Sequence, residues 1–275
     1  MRRRVHLADP TRTTGIVNRY KADLLARWTE VDRVLWEMFA VDDTLNMGGR
    51  RQGLLNRIRT PSRFEFPTDI PGKADAFDEW LRGAITAELL EPAGYQNKYV
   101  RAAYSKGVDH ADRAIRARGG DPLPQSIQQT FNQPIHRDKL QLLYSRNFRE
   151  LKGITDASAQ SISRIVTEGL AIGQNPLDTA RDIRKSINTI GRNRSITLAR
   201  TETIRAHAEA TLNRYQQIGI TQVSGKAESA EFITARDDRV CPECADLEGQ
   251  RFTLDDARGI IPVHPSCRCA WLPII

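Results

Sequence analysis

The first 240 residues of this 275-residue chain contain no cysteine, and all four cysteines lie in the last 35 residues. A disulfide framework spread over the whole chain is therefore excluded. The chain also lacks a run of about 18 apolar residues, which argues against a transmembrane helix. Polar residues follow the basic start MRRR, where a secretory signal would have its apolar region. We therefore expect a reducing compartment, in which structural disulfides are rare.

Several catalytic signatures are missing as well. The sequence shows no Ser-His-Asp order, no glycine-rich phosphate-binding loop and no convincing pair of catalytic carboxylates. We therefore expect a protein that is not an enzyme. Aromatic residues make up only 7% of the chain, but the hydrophobic share of 40% is enough for a packed core. The net charge of +7 favours an anionic partner.

Apolar residues recur with the helical period from residue 12 to about residue 219. Gly173 suits a helix end, and Asn175 followed by Pro176 suits the start of the next helix. Five predicted helices each have one apolar face. These faces are Leu24, Trp28, Val31, Leu35 and Phe39; Phe77, Leu81 and Ile85; Ile162, Ile165, Val166 and Leu170; Leu177, Ala180, Ile183 and Ile187; and Ile204, Ala208, Leu212, Tyr215 and Ile218.

The sequence changes character twice. Residues 121–138, DPLPQSIQQTFNQPIHRD, are rich in proline and glutamine, and we interpret them as a linker. After residue 220 the stretches EFITAR and GQRFTL are typical of short strands. We therefore predict an α+β, mainly α-helical fold. A helical N-terminal region (1–150) precedes a C-terminal domain (151–275), in which residues 221–275 form a small module that contains β-strands.

The cysteines belong to two short motifs, CPEC and HPSCRC, that are separated by 19 residues. A C-x-x-C turn presents two thiolates, and tetrahedral zinc needs four nitrogen or sulfur ligands. Five residues are candidates for these four places, and the sequence leaves open which of them is not a ligand. The candidates are Cys241, Cys244, His264, Cys267 and Cys269. A structural Zn²⁺ would add folding energy to this small module.

Two other interpretations of the cysteines are weaker. A thioredoxin-type C-x-x-C would leave the remaining cysteines unexplained. A deaminase-like catalytic zinc needs His-x-Glu before Pro-Cys-x-x-Cys, and His207-Ala-Glu209 does precede CPEC. However, Val240 stands where that signature requires proline. Because closed sites are filled by cysteine and histidine, the pattern favours structural zinc.

Two segments carry an excess of basic residues. The first segment, residues 46–64, has five arginines and no acidic residue. The second, residues 181–205, has seven basic and two acidic residues. Either segment could contact phosphates or an acidic protein surface, and a solvated surface is an equal alternative. Arg205 ends the second segment, and Glu209 follows four residues later on the same predicted helix. This spacing indicates an ion pair on the surface. The candidate contact residues are Arg50, Arg51, Arg57, Arg59, Arg192 and Arg194.

The order of motifs in the C-terminal part resembles a known family. The segments NRSITLARTETIRAHAEA, DDRVCPECADLEGQRF and VHPSCRCAWLP are similar to the phage head-morphogenesis family of Mu F-like minor head proteins. The resemblance covers about residues 155–275. It implies that the five cysteine and histidine positions form the metal site, and that Arg200 and Glu202 of the ARTE motif form a structural pair on their helix.

The resemblance also implies a function. A Mu F-like protein is a minor virion component that associates with the portal inside the procapsid and assists head assembly, DNA packaging or DNA delivery. The expected partners are therefore the portal protein, the procapsid interior and packaged double-stranded DNA, with no membrane. The expected location is the phage head, after assembly in the host cytoplasm. The alternative hypothesis is a zinc-containing DNA-binding protein that acts on its own.

Overall fold

The computed structural model describes residues 9–47, 66–219 and 229–275. These residues are mainly helical and include one small antiparallel sheet near the C-terminus, in agreement with the predicted fold class. The α-helices are α1 (Thr14–Trp36), α2 (Ile70–Ile85), α3 (Lys98–Arg116), α4 (Ile127–Asn132), α5 (Pro134–Ile172), α6 (Pro176–Ser186), α7 (Asn193–Ile218), α8 (Pro242–Leu247) and α9 (Leu254–Ala257). The strands are β1 (Ala230–Ile233), β2 (Arg251–Phe252) and β3 (Ala270–Pro273).

Polar caps account for several helix boundaries. The Asn97 side chain accepts the backbone N–H groups of Tyr99 and Val100 at the start of α3. Asn175 caps α6 in the same way, and Pro176 occupies the first turn, as predicted. Gly173 has a φ of +66°, the left-handed conformation that commonly ends a helix.

Three π-helical turns follow α1, α2 and α6 directly. They comprise Glu37–Val41, Thr86–Leu90 and Ile187–Arg192. The period of 3.6 residues did not predict them, because a π-turn adds a residue to the helical turn and rotates the side chains that follow.

The predicted linker at residues 121–138 is wrong. The segment contains α4 and the start of α5, and Phe131 is only 7% exposed. Ser126 and Gln129 form a capping box at the start of α4, and Pro134 is the first residue of α5. The same residues that suggested a loop therefore begin helices.

The chain divides into two compact units. Among the described residues, the first unit contains 9–21, 95–147, 197–219 and 229–275. The second unit contains 22–47, 66–94 and 148–196. The predicted domain boundary after residue 150 stays a prediction.

The second unit contains most of the predicted helical faces. All five predicted residues of the α1 stripe are buried, as are the three predicted for α2. The Trp28 indole N–H donates to Ser195 Oγ at 2.9 Å, which joins α1 to the start of α7. On α6, Ala180, Ile183 and Ile187 are buried, but Leu177 is 37% exposed, so its assignment to the buried face is wrong. Leu177 lies in the first turn of α6, where the helix begins next to solvent.

The first unit is built around α7. The sheet has the order β2-β1-β3, with Phe232 opposite Trp271 in the β1–β3 register. This sheet shares one apolar core with α3 and α7, to which α7 contributes Ile204, Ala208, Leu212 and Tyr215. Three of the four cysteines belong to the same core: Cys244, Cys267 and Cys269. These three cysteines of the two motifs are therefore part of the packed interior of this unit.

Candidate metal centre

The first motif, CPEC, forms the start of the short helix α8. Cys241 is the N-cap residue, with extended backbone, and its sulfur accepts the backbone N–H of Cys244 at 3.4 Å. Pro242 follows at the first helical position, which its fixed φ suits. The thiol thus replaces the usual hydroxyl or carboxylate cap, and the helical turn places both sulfurs on one side.

The second motif, HPSCRC, is a turn that leads into β3. Ser266 has a φ of +67°, and the Cys267 backbone N–H donates to the His264 carbonyl at 3.2 Å. His264 Nδ1 lies 2.9 Å from the carbonyl oxygen of Pro265, to which it can only donate. This bond leaves Nε2 as the nitrogen with the free lone pair, the tautomer that a metal ligand requires.

The two motifs bring all five predicted donors together in two overlapping groups. The first group is Cys241, Cys244 and His264, and the second is Cys244, Cys267 and Cys269, with the donor atoms of each group within 4.8 Å of one another. His264 Nε2 lies 3.2 Å from Cys241 Sγ and 3.3 Å from Cys244 Sγ. The Cys244 and Cys267 sulfurs are 3.9 Å apart. Cys244 is the donor that both groups share.

These three separations are similar in length to the edges of a tetrahedral metal site. A metal–sulfur bond of about 2.3 Å gives a sulfur–sulfur edge of about 3.8 Å, and an edge to nitrogen is slightly shorter. Cysteine and neutral histidine are the donors that structural zinc sites use. The residues therefore fit Zn²⁺.

The thiols strongly affect one another's ionisation. The hydrogen bond with the Cys269 thiol lowers the pKa of Cys267 to about 5, and the same bond raises the pKa of Cys269. Burial raises the pKa of Cys244 to about 12. Without a cation, therefore, one thiolate forms easily while its neighbours stay protonated. A bound divalent cation would allow the remaining ligand thiols to ionise.

Ion pairs beside the centre hold the segments that carry the donors. Arg268 donates to both carboxylate oxygens of Asp237, each at 2.6 Å, and Arg239 donates to the same carboxylate at 2.9 Å. The hydrogen bonds from Arg268 hold the pKa of Asp237 well below its ordinary value. Glu248 accepts the Thr234 backbone N–H at 2.6 Å. The residues before Cys241 are thus tied to the second motif and to the C-terminal end of α8.

Comparison with protein families identifies this part of the chain. Residues 160–272 match the family model described as Phage Mu protein F like protein. The chain thus contains a segment that matches the phage Mu F-like head morphogenesis family, and this segment is less than half of the chain. This Mu F-like segment includes all five candidate donors and the whole of α7. The searches of curated proteins and of solved structures found no match. No helix of the described ranges combines the length and hydropathy needed to cross a membrane.

The ARTE motif of the Mu F-like segment lies on α7. Glu202 is 2% exposed and pairs with Arg146 of α5 at 3.2 Å and with Arg205 at 3.5 Å. Arg200 lies in a different environment, where burial and then the charges of Arg268 and Arg239 lower its pKa. The predicted structural role of Arg200 and Glu202 as a pair stays a prediction, and the structure places them next to different partners.

His207 and Glu209, the two residues of the deaminase-like pattern, are buried side chains of α7. The His207 ring is 0% exposed, packs against the His110 ring with centroids 5.0 Å apart, and belongs to neither donor group. Glu209 pairs with Lys139 at 2.9 Å and with Arg258 at 3.4 Å. The expected surface pair of Arg205 and Glu209 is therefore wrong, because Glu209 is 6% exposed and holds other partners.

The candidate contact arginines have different environments. Arg50, Arg51, Arg57 and Arg59 lie outside the described residues. Arg192 lies 3.7 Å from Asp32 and donates to Thr29, so its charge is partly balanced. Arg194 is exposed at the start of α7.

Sequence reasoning missed two contacts of α7 with distant parts of the chain. Thr201 Oγ1 accepts the Ser266 backbone N–H at 3.2 Å, a contact between residues 65 positions apart that no local motif reveals. Arg214 is 0% exposed and donates to both oxygens of Asp112 at 2.7 and 3.0 Å. Arginine is rarely buried without a partner, but the sequence alone does not show which arginine has one.

Proposed function

We propose that this chain is a minor protein of a bacteriophage head, associated with the portal, that assists head morphogenesis, DNA packaging or DNA delivery. The observation that carries this proposal is the match of residues 160–272 to the Mu F-like family. The match covers the candidate metal centre and the helix that packs against it. The family relationship supports a role in head morphogenesis, and the association with the portal is our further step.

We also propose that the metal centre is structural and that the protein is not an enzyme. Three of the donors, Cys244, Cys267 and Cys269, are at most 3% exposed and belong to an apolar core. Two acidic side chains close to the motifs already have partners. Glu209 pairs with Lys139 and Arg258, and Glu248 binds Thr234 and Arg236. A donor set made of cysteine and histidine alone is typical of structural zinc.

A direct test is copurification with the portal protein encoded by the same phage. We expect the two proteins to sediment as one complex, and we expect the chain in procapsids that contain a portal but not in procapsids without one. Incorporation that is equal in both kinds of procapsid would contradict the portal association. Hydrolytic or transferase activity of the zinc-loaded protein would contradict the structural assignment.

DNA contact is a second proposal, supported by the net charge of +7 and by the seven basic residues in 181–205. Binding through phosphates should weaken steeply as salt rises, because counterions are released from DNA. Anisotropy titrations with duplex DNA at two salt concentrations measure this dependence. The Arg194→Gln variant should reduce the salt slope by about 1 if Arg194 contacts a phosphate. No binding at low salt would remove this proposal.

A further inference from the structure

Strand pairing brings the two halves of the candidate donor set towards each other. β1 leads through residues 234–240 into the first motif, CPEC, and the second motif, HPSCRC, leads directly into β3. The β1–β3 register ends where Ile233 lies opposite Ala270. Residues 234–240 and 264–269 lie beyond this end and belong to no strand. The hydrogen bonds of the sheet therefore do not themselves hold the two motifs together.

An ion pair joins the two segments beyond the end of the sheet. Arg268, which lies between Cys267 and Cys269 in the chain, donates to both carboxylate oxygens of Asp237, each at 2.6 Å. The Arg268 and Asp237 side chains are only 16% and 15% exposed. A bidentate pair of this kind fixes the orientation of its partners as well as their distance. Because the pair is largely buried, solvent ions screen it less than they screen a surface pair.

The neighbouring ion pairs stay on the side of the first motif. Arg236 donates to Glu248 at 2.7 Å, and both residues belong to the stretch that runs from β1 to the end of α8. Arg239 donates to Asp237 at 2.9 Å from within the same turn, and its side chain is 68% exposed. Within residues 229–275, all of which the structure describes, only the pair with Arg268 joins the segment before CPEC to the second motif.

We propose that Asp237 and Arg268 are positioning residues of the metal centre. Their ion pair holds the two motifs at the separation at which donors from both can bind one cation. Neither residue belongs to the two groups of candidate donors. This inference rests on the metal centre proposed above, and it concerns the contact that arranges the donors.

The expected size of the effect follows from the division of the donors between two segments. Without the pair, the second motif would be free to move away from CPEC, and binding of a cation would have to order it again. Supporting residues around metal ligands commonly change metal affinity by about 10–100-fold.

The test compares variants of the full-length protein. Arg268→Gln and Asp237→Asn each remove one charge of the pair, and Arg268→Lys retains the positive charge. Arg236→Gln is the matched control, because it removes an ion pair that does not reach the second motif. Arg239→Gln is a second control, because it removes the other arginine that contacts Asp237 and leaves the bond to Arg268 in place.

The measurement is the rate at which zinc passes from each protein to a colorimetric chelator. We expect Arg268→Gln and Asp237→Asn to lose zinc about tenfold faster than the parent protein. The double variant should lose zinc no faster than the quicker single variant, because both residues act through one contact. Arg268→Lys should lose zinc more slowly than Arg268→Gln. Both controls should stay within about twofold of the parent, since exposed pairs contribute little.

A comparison with Gly107→Ala separates positioning from a general loss of stability. A Cβ at residue 107 would lie 2.3 Å from the His207 carbonyl oxygen, so this variant should lower the stability of the same unit without touching the ion pair. We expect Gly107→Ala to unfold at a lower urea concentration than the parent and still to retain zinc as the parent does. If zinc loss instead follows the urea midpoint in Gly107→Ala and Arg268→Gln alike, the positioning role is overturned.

Two further outcomes distinguish this inference from the metal centre on which it rests. Equal zinc retention in the parent, Arg268→Gln and Asp237→Asn would overturn the positioning role and leave the metal centre in place. A parent protein that binds no zinc would overturn the metal centre and this inference together.

Discussion

Replacing Gly107 by alanine should destabilise the first unit, because α3 and α7 approach each other through their main chains at this residue. A Cβ at position 107 would lie 2.3 Å from the His207 carbonyl oxygen and 2.7 Å from the Cβ of Ala210. The Thr211 hydroxyl also donates to the Gly107 carbonyl at 3.2 Å, so the two helices are joined where the added methyl would lie.

The size of the effect follows from these distances. Ordinary contacts of a Cβ begin at 3.4 Å, so the helices would have to separate by about 1 Å at this point. Overpacking of this kind costs about 1–3 kcal/mol, and the main-chain obstacle favours the upper end. The higher helix propensity of alanine relative to glycine offsets about 1 kcal/mol of this cost. The net loss is about 2 kcal/mol, which lowers the melting temperature by about 4–8 °C.

Urea unfolding followed by circular dichroism measures this loss. Gly153→Ala is the matched control, because Gly153 is an exposed residue of α5 with no atom within 4 Å of the added Cβ. It should gain up to about 1 kcal/mol from helix preference alone. If Gly107→Ala is as stable as the parent while Gly153→Ala behaves as expected, the close contact of α3 and α7 is refuted.

Three further predictions concern the first unit. Arg214→Met should cost about 3–5 kcal/mol, because it leaves the Asp112 carboxylate without its partner, and Asp112→Leu in the same chain should recover part of that loss in urea unfolding. Burial lowers the pKa of His207 well below its ordinary value, so the native protein keeps this ring neutral. Below about pH 6.5 the unfolded chain therefore binds more protons than the native protein, and the free energy of unfolding should decrease as the pH is lowered. In the His207→Leu variant this free energy should depend less on pH between about pH 7.5 and about pH 5. Single serine variants of the five donors should lose bound zinc in four cases and retain it in one, with Cys244→Ser among those that lose it; retention by Cys244→Ser would contradict the shared position of this donor.

The helical faces and the clustering of the candidate donors were predictable because both depend on spacing along the chain. The α1 stripe repeats every three or four residues, and its five members are buried. The two cysteine motifs each place donors within a single turn, so the structure needed only to bring the two turns together. The predicted cap at Asn175 likewise depends on neighbouring residues.

The features that sequence reasoning missed depend on contacts between distant residues. Helix α7 is buried almost all round from Glu202 to Tyr215, although His207, Glu209 and Arg214 resemble a solvent-facing side. Their burial depends on partners from α3, α5 and the turn near Arg258, which no local pattern identifies. The linker prediction for residues 121–138 was wrong for another reason, because proline and serine can both interrupt helices and begin them.

The most direct test of a metal-stabilised Mu F-like segment is the zinc content of the full-length protein, measured by elemental mass spectrometry after removal of free metal. We expect about one zinc ion per chain, because the two groups of candidate donors share Cys244. The Cys244→Ser variant should contain much less than one zinc ion per chain. A zinc content near zero in folded parent protein would contradict the metal centre and leave the cysteines as ordinary members of the core.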